Sequence, residues 1–170
     1  TQLTEVADLA RAFPGVTVVL NHCGGPMAIG PYAGQRETTV WDVWLAGVTE
    51  VAACENVVVK VGGCGMPTYG FGFEDGGQAP GSQALADAWR AYLVRLIELF
   101  GPSQCMFESN FPVDKVSCGY TNLWNAFKRI ADDLGLAGAE RNDLFYGTAA
   151  RAYRIPLSTE RNAAISSPVE

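Results

Sequence analysis

The chain has 170 residues, 18 acidic and 12 basic, giving a formal net charge of −6 and a sequence pI near 4.8. With 48% apolar and 18% charged residues it has the material of a folded core, which excludes a disordered chain. The acidic balance argues against nucleic acid or an anionic membrane as partner, and no apolar run reaches the roughly 18 residues of a spanning helix.

Leu3, Val6, Leu9, Ala10 and Phe13 recur at helical spacing and stop at Pro14-Gly15. The run from Val16 to Leu20 predicts a strand buried on both faces, ended by Asn21-His22-Cys23-Gly24-Gly25-Pro26. A helix from about Val40 to Cys54 follows, broken by Glu55-Asn56. Val57 to Val61 reads as the second strand and stops at Gly62-Gly63. A glycine-rich loop runs from about Gly65 to Gly81, then a long amphipathic helix from Leu85 to Phe100. Gln104 to Glu108 is the third strand and meets Ser109-Asn110-Phe111-Pro112. Helices near Leu123–Leu134 and Glu140–Tyr153 follow, and a polar tail begins after Ile155.

Strands alternating with helices predict a parallel sheet covered by helices. Three such strands leave two long apolar edges, which soluble proteins avoid, so missing chain or a partner chain is expected to cover them. The chain starts at Thr1, without Met and already inside a helical pattern, so a cut from a longer protein is expected. The five cysteines are an odd number with no C-x-x-C pair, and no leader-like segment is visible. Reduced, mostly buried thiols in a cytoplasmic protein are expected.

In parallel α/β folds, ligands sit at the carboxyl ends of the strands. Here those ends carry His22, then Lys60 ahead of Gly62-Gly63-Cys64-Gly65, then Glu108, Asn110 and Asp114. His22, the single histidine, suits a metal ligand or a general acid/base, or a hydrogen-bonded strand-end imidazole. One histidine does not close a metal site. Glu108 and Asn110, two apart, are expected on the same side of their strand. Glu108 would then act as base or ligand, Asn110 as donor to a substrate oxygen, and Lys60 as an electrostatic clamp. A buried Lys60–Glu108 ion pair between neighbouring strands is the alternative. The stretch Gly70 to Gly76 misses a dinucleotide fingerprint and neither directly follows a strand nor opens a helix, which disfavours a nucleotide-binding domain. It reads better as a lid, with Tyr69, Phe71 and Phe73 touching substrate or simply bracing the loop.

Phe13-Pro14-Gly15 followed by Val18-Val19-Leu20-Asn21-His22-Cys23-Gly24-Gly25 resembles the sixth-strand signature of the amidohydrolase-related family, TIM-barrel lactonases and decarboxylases among them. Phe100-Gly101-Pro102 with Cys105-Met106-Phe107-Glu108-Ser109-Asn110-Phe111-Pro112 resembles its eighth-strand motif, where a glycine-serine-aspartate-aromatic-proline run is common. Leu144 to Tyr153 resembles its C-terminal helix. The resemblance covers residues 1–155 and implies strands six to eight, with their helices, of a (β/α)8 barrel, with a tail at 156–170.

It further implies a hydrolase that activates water against a small lactone or similar carbonyl substrate. His22 would bind a divalent metal such as zinc, or the substrate carbonyl where no metal is used. Asn110 stands where the family usually has the water-activating aspartate, and Asn is no base. Glu108, in place of the usual glycine, or Asp114 would replace that carboxylate, with Lys60 and Asn110 polarising the carbonyl. Thr148 for Asn is a milder departure. The family's first-strand His-x-His is absent, so the site is expected to be incomplete in this chain and the fragment inactive alone. A non-catalytic binding or assembly module that kept the scaffold is the alternative.

Overall fold

The computed structural model describes residues 2–157. Helix α1 (Leu3–Ala12) leads into β1 (Val18–Leu20), α2 (Thr39–Ala52) into β2 (Val57–Gly62), and α3 (Ser82–Phe100) into β3 (Cys105–Glu108). Helices α4 (Tyr120–Asp133), α5 (Gly138–Asn142) and α6 (Thr148–Tyr153) follow. The strands form one parallel sheet in the order β1-β2-β3, as the alternating pattern predicts. Among the described residues β1 and β3 each have one strand neighbour, so both edges are open. Of the expected tail, residues 158–170 lie outside the described residues.

The register places Val59 beside Cys105, Lys60 beside Met106, Val61 beside Phe107 and Gly62 beside Glu108. Neighbours in a parallel ladder share a face, and successive residues alternate. Val57, Val59, Val61, Cys105 and Phe107 are buried on the helix-covered face. There the Phe107 ring stacks on Phe127 of α4 with centroids 4.6 Å apart. Such stacking adds about 0.5–1.5 kcal/mol to the area buried. The opposite face carries Val19, Val58, Lys60, Met106 and Glu108, with Val19, Val58 and Lys60 only half-buried. The first strand, expected to be buried on both faces, buries only Leu20, with Val18 and Val19 half-buried.

The first strand is shorter than its apolar run. The Val16 amide donates to the Phe13 carbonyl at 3.0 Å and closes a turn, leaving Val16 exposed. Sheet bonding starts where the Val18 amide meets the Asn56 carbonyl at 2.9 Å. The Asn56 side-chain amide reaches the carbonyls of Ala10, Phe13 and Val16 at 3.0, 3.1 and 2.9 Å. A residue that reads as a helix breaker thus ties α1 to β1.

The helix expected over Glu140–Tyr153 is also modified. Its backbone stays helical, but Asp143–Gly147 widens into a π-turn between α5 and α6. A Cβ at Gly147 would lie 2.5 Å from Asp143 Oδ1, which instead accepts from Arg151 at 2.6 Å. The bare glycine gives the carboxylate its path along the helix. Buried Thr148 donates to the Pro102 and Ser103 carbonyls at 3.3 and 3.1 Å, docking α6 at the start of β3. All five cysteines are free and buried. Among the described residues no helix is long and apolar enough to cross a membrane.

Candidate active site

β1 ends in a turn that side chains such as His22 and Cys23 rarely adopt. His22, Cys23, Gly24 and Gly25 all have positive φ, at 50°, 51°, 74° and 63°. For the two non-glycine residues this conformation is costly and persists only where surrounding contacts impose it. Here they do. One oxygen of Glu108 accepts the His22 backbone N–H at 3.1 Å and meets His22 Nδ1 at 2.5 Å. The Tyr69 hydroxyl donates to the His22 carbonyl. Trp44 Nε1 of α2 donates to the Cys23 carbonyl at 2.7 Å, and the Gly62 amide donates to Cys23 Sγ at 3.3 Å. A carboxylate oxygen only accepts, so the neutral tautomer that satisfies this contact is the one with the ring proton on Nδ1. Nε2 then presents a lone pair, and the side chain keeps 32% of its surface exposed.

The other oxygen of Glu108 faces Lys60 Nζ at 3.6 Å, so the ion pair across neighbouring strands is present. The glycines ending β2 make this assembly possible. A Cβ at Gly62 would lie 2.2 Å from the Glu108 carbonyl oxygen and 2.8 Å from its Cγ. One at Gly63 would lie 2.8 Å from His22 Nδ1, and one at Gly65 2.8 Å from the Asp114 side chain. The run Gly62-Gly63-Cys64-Gly65 is a floor on which three polar side chains rest.

Asn110 does not join Glu108. The strand stops at Glu108, Asn110 turns to φ 51°, and the parity expected from their spacing no longer holds. Its side-chain amide donates to Asp114 Oδ1 at 2.7 Å, and the Gly65 amide donates to Asp114 Oδ2 at 3.0 Å. Ser117 closes the group by donating to the Gly65 carbonyl at 2.6 Å. Asp114 is fully buried, and burial raises its pKa above the ordinary value, against the lowering effect of the bonds from Asn110 and Gly65. The five residues singled out in the sequence thus stand at one end of the sheet in two groups. His22, Lys60 and Glu108 form the first, and Asn110 with Asp114 the second.

In the glycine-rich loop the aromatic residues pack inward, as the bracing alternative expects. Tyr69 is buried, and Phe71 and Phe73 pack against the core. Burial pushes the Tyr69 hydroxyl well above its usual range, which keeps it a proton donor to His22. Cys64, within the floor itself, is raised by burial too and is an inert thiol.

No group of three His, Cys, Asp or Glu side chains suited to a metal is found among the described residues. His22 Nε2 is the one imidazole nitrogen left open, since Glu108 holds Nδ1. Zinc sites usually take at least three protein ligands, so the donors among the described residues alone do not fit one.

Parallel βα units with a polar cluster at the carboxyl ends of their strands are consistent with part of a (β/α) barrel. The chain belongs to the amidohydrolase family, a family of TIM barrels, whose model matches residues 1–155. It is 34% identical over 154 residues to an uncharacterized protein of Sinorhizobium fredii, covering 91% of this chain and 44% of that protein. It is 30% identical over 155 residues to the L-fucono-1,5-lactonase of Burkholderia multivorans, covering 91% and 49%. A crystal structure of an amidohydrolase from Burkholderia multivorans with bound zinc superposes with a TM-score of 0.73 at 29% identity, over 91% of this chain and 50% of that one. The chain therefore spans about half the length of the relatives it matches.

Proposed function

We propose that this chain supplies strands six to eight of a (β/α)8 barrel and one side of the active site of a lactone hydrolase. The activity belongs to the whole protein, whose remaining strands complete the barrel and cover the open sheet edges. The observation that carries the reading is the contact of 2.5 Å between His22 Nδ1 and Glu108, which leaves Nε2 as the open basic atom.

In this reading His22 is the general base. Its Nε2 takes a proton from water as the oxygen attacks the lactone carbonyl carbon. The tetrahedral intermediate then collapses, the ring C–O bond breaks, and the proton passes to the departing alkoxide oxygen. The product is the open hydroxy acid. Glu108 holds the imidazole in the reactive tautomer and stabilises its charged form, a role that a carboxylate plays beside many catalytic histidines. Both its oxygens are already engaged, which favours this role over that of base. Asp114 is buried and bonded through both oxygens, so it holds Asn110 and Gly65 in place. Lys60 places positive charge beside the carbonyl oxygen as negative charge develops there. The similarity to an L-fucono-1,5-lactonase makes sugar lactones the first substrates to try.

The test is hydrolysis of a panel of sugar lactones by the full-length protein and its His22→Ala variant, before and after chelation. Turnover that falls about 10²–10⁴-fold in the variant is expected. No hydrolysis of any lactone would leave a binding scaffold and end the hydrolase reading, whereas hydrolysis undiminished in His22→Ala would end the reading of His22 as the base.

A further inference from the structure

We propose that the loop from Met66 to Phe73 is a latch on the His22 turn, and that Tyr69 is a positioning residue for the His22 imidazole. The proposal rests on the reading of His22 as the reactive base, but its geometry can be measured without a substrate.

The Tyr69 ring is buried and its hydroxyl donates to the carbonyl of His22, a residue held at φ 50°. Glu108 fixes the N–H and Nδ1 of that residue, and Tyr69 fixes its remaining backbone group. The same carbonyl also accepts the Gly25 amide at 2.8 Å. Without the phenol only this bond inside the positive-φ turn holds it, and the turn can relax toward ordinary φ/ψ values and carry the ring with it.

The loop that delivers Tyr69 is itself fastened on both sides. The Ala28 amide donates to the Thr68 carbonyl at 2.9 Å. Arg36 Nη1 donates to the Gly70 carbonyl at 2.6 Å, and the guanidinium lies over the Phe71 ring at 4.4 Å. Gly70 has φ 66°, and a Cβ there would stand 2.7 Å from the Ala28 carbonyl oxygen. The segment after β1 and the segment after β2 are thus interlocked around one phenol. Met66, Thr68 and Tyr69 also line the pocket that His22 borders, so the loop sets the base at the wall of that pocket before any ligand arrives.

The experiment compares Tyr69→Phe with Gln104→Met in the full-length protein. Gln104 bonds the Glu55 and Val57 carbonyls at the opposite end of the sheet, at 3.3 and 2.7 Å, and so controls for the loss of internal hydrogen bonds. Imidazole ¹H–¹⁵N spectra are recorded, with the His22 signals assigned by their loss in His22→Ala. Tyr69→Phe is expected to shift the His22 ring-nitrogen signals and to lower turnover about 10- to 100-fold with KM unchanged. Gln104→Met is expected to leave the signals in place at a similar loss of thermal stability. Unmoved His22 signals in Tyr69→Phe, or equal movement in Gln104→Met, would overturn the latch. If no form hydrolyses any lactone, the hydrolase reading fails and the spectra alone decide the latch.

Discussion

Glu108 changes meaning between sequence and structure. Its place on a strand end, in company with Lys60 and His22, is legible because strands of one parallel sheet must end together. Its partner is not, because a side chain's direction depends on what its neighbour lacks. The bare Cα of Gly62 lets Glu108 lean across β2 to both His22 and Lys60. Gly62→Ala would drive a Cβ into the Glu108 backbone, which is not a flexible side-chain end. It should cost about 1–3 kcal/mol in chemical denaturation, and lactone turnover should fall with it. A variant as stable and as active as the parent would show that Glu108 does not need this floor. Asp114 offers a test by pH. Its folded pKa is raised above the ordinary 3.8, chiefly by burial. Its contribution to stability is therefore full below the unfolded value and is lost as pH rises through the raised folded value. The stability of the parent relative to Asp114→Asn should decline from acidic pH toward neutral pH when melting temperatures are compared. A difference that grows over that range would contradict the buried, reluctantly ionised carboxylate.

At the scale of elements, the three strands, three preceding helices and their parallel order follow from apolar runs and turn residues alone. The boundaries follow less well because they are set by long-range bonds. Val16 belongs to the β-branched run but lies outside β1, since pairing begins only where Asn56 is reached. Asn56→Ala removes one amide that serves three carbonyls, in α1, the turn and the approach to β1. A loss of about 1–3 kcal/mol in unfolding free energy is expected. A change below about 0.5 kcal/mol, typical of surface substitutions, would mean that water replaces these bonds freely. Asn110 shows the same limit from the other direction. Period-two reasoning holds only as far as the strand, and the strand ends at Glu108. Tyr69 and Trp44 stand 47 and 21 residues from the atoms they hold, with no local signal in the sequence. The glycine-rich context of Tyr69 marks a loop, but not its target.

For the molecule as a whole, the sheet has one covered face and, among the described residues, two open edges, and the chain spans about half of its relatives. The less covered face carries Lys60 and Glu108, so in the proposed barrel the group assigned to catalysis lies on the face turned toward the remaining strands. His22 and Glu108 form one unit in this account, with the carboxylate acting through the imidazole. The most direct test is a double-mutant cycle on the lactone that the full-length protein turns over fastest. If Glu108 acts through His22, kcat/KM should fall in His22→Ala and in Glu108→Ala, and the double variant should be no slower than His22→Ala alone. A double variant slowed by the product of the two single effects would make them independent and contradict the paired base.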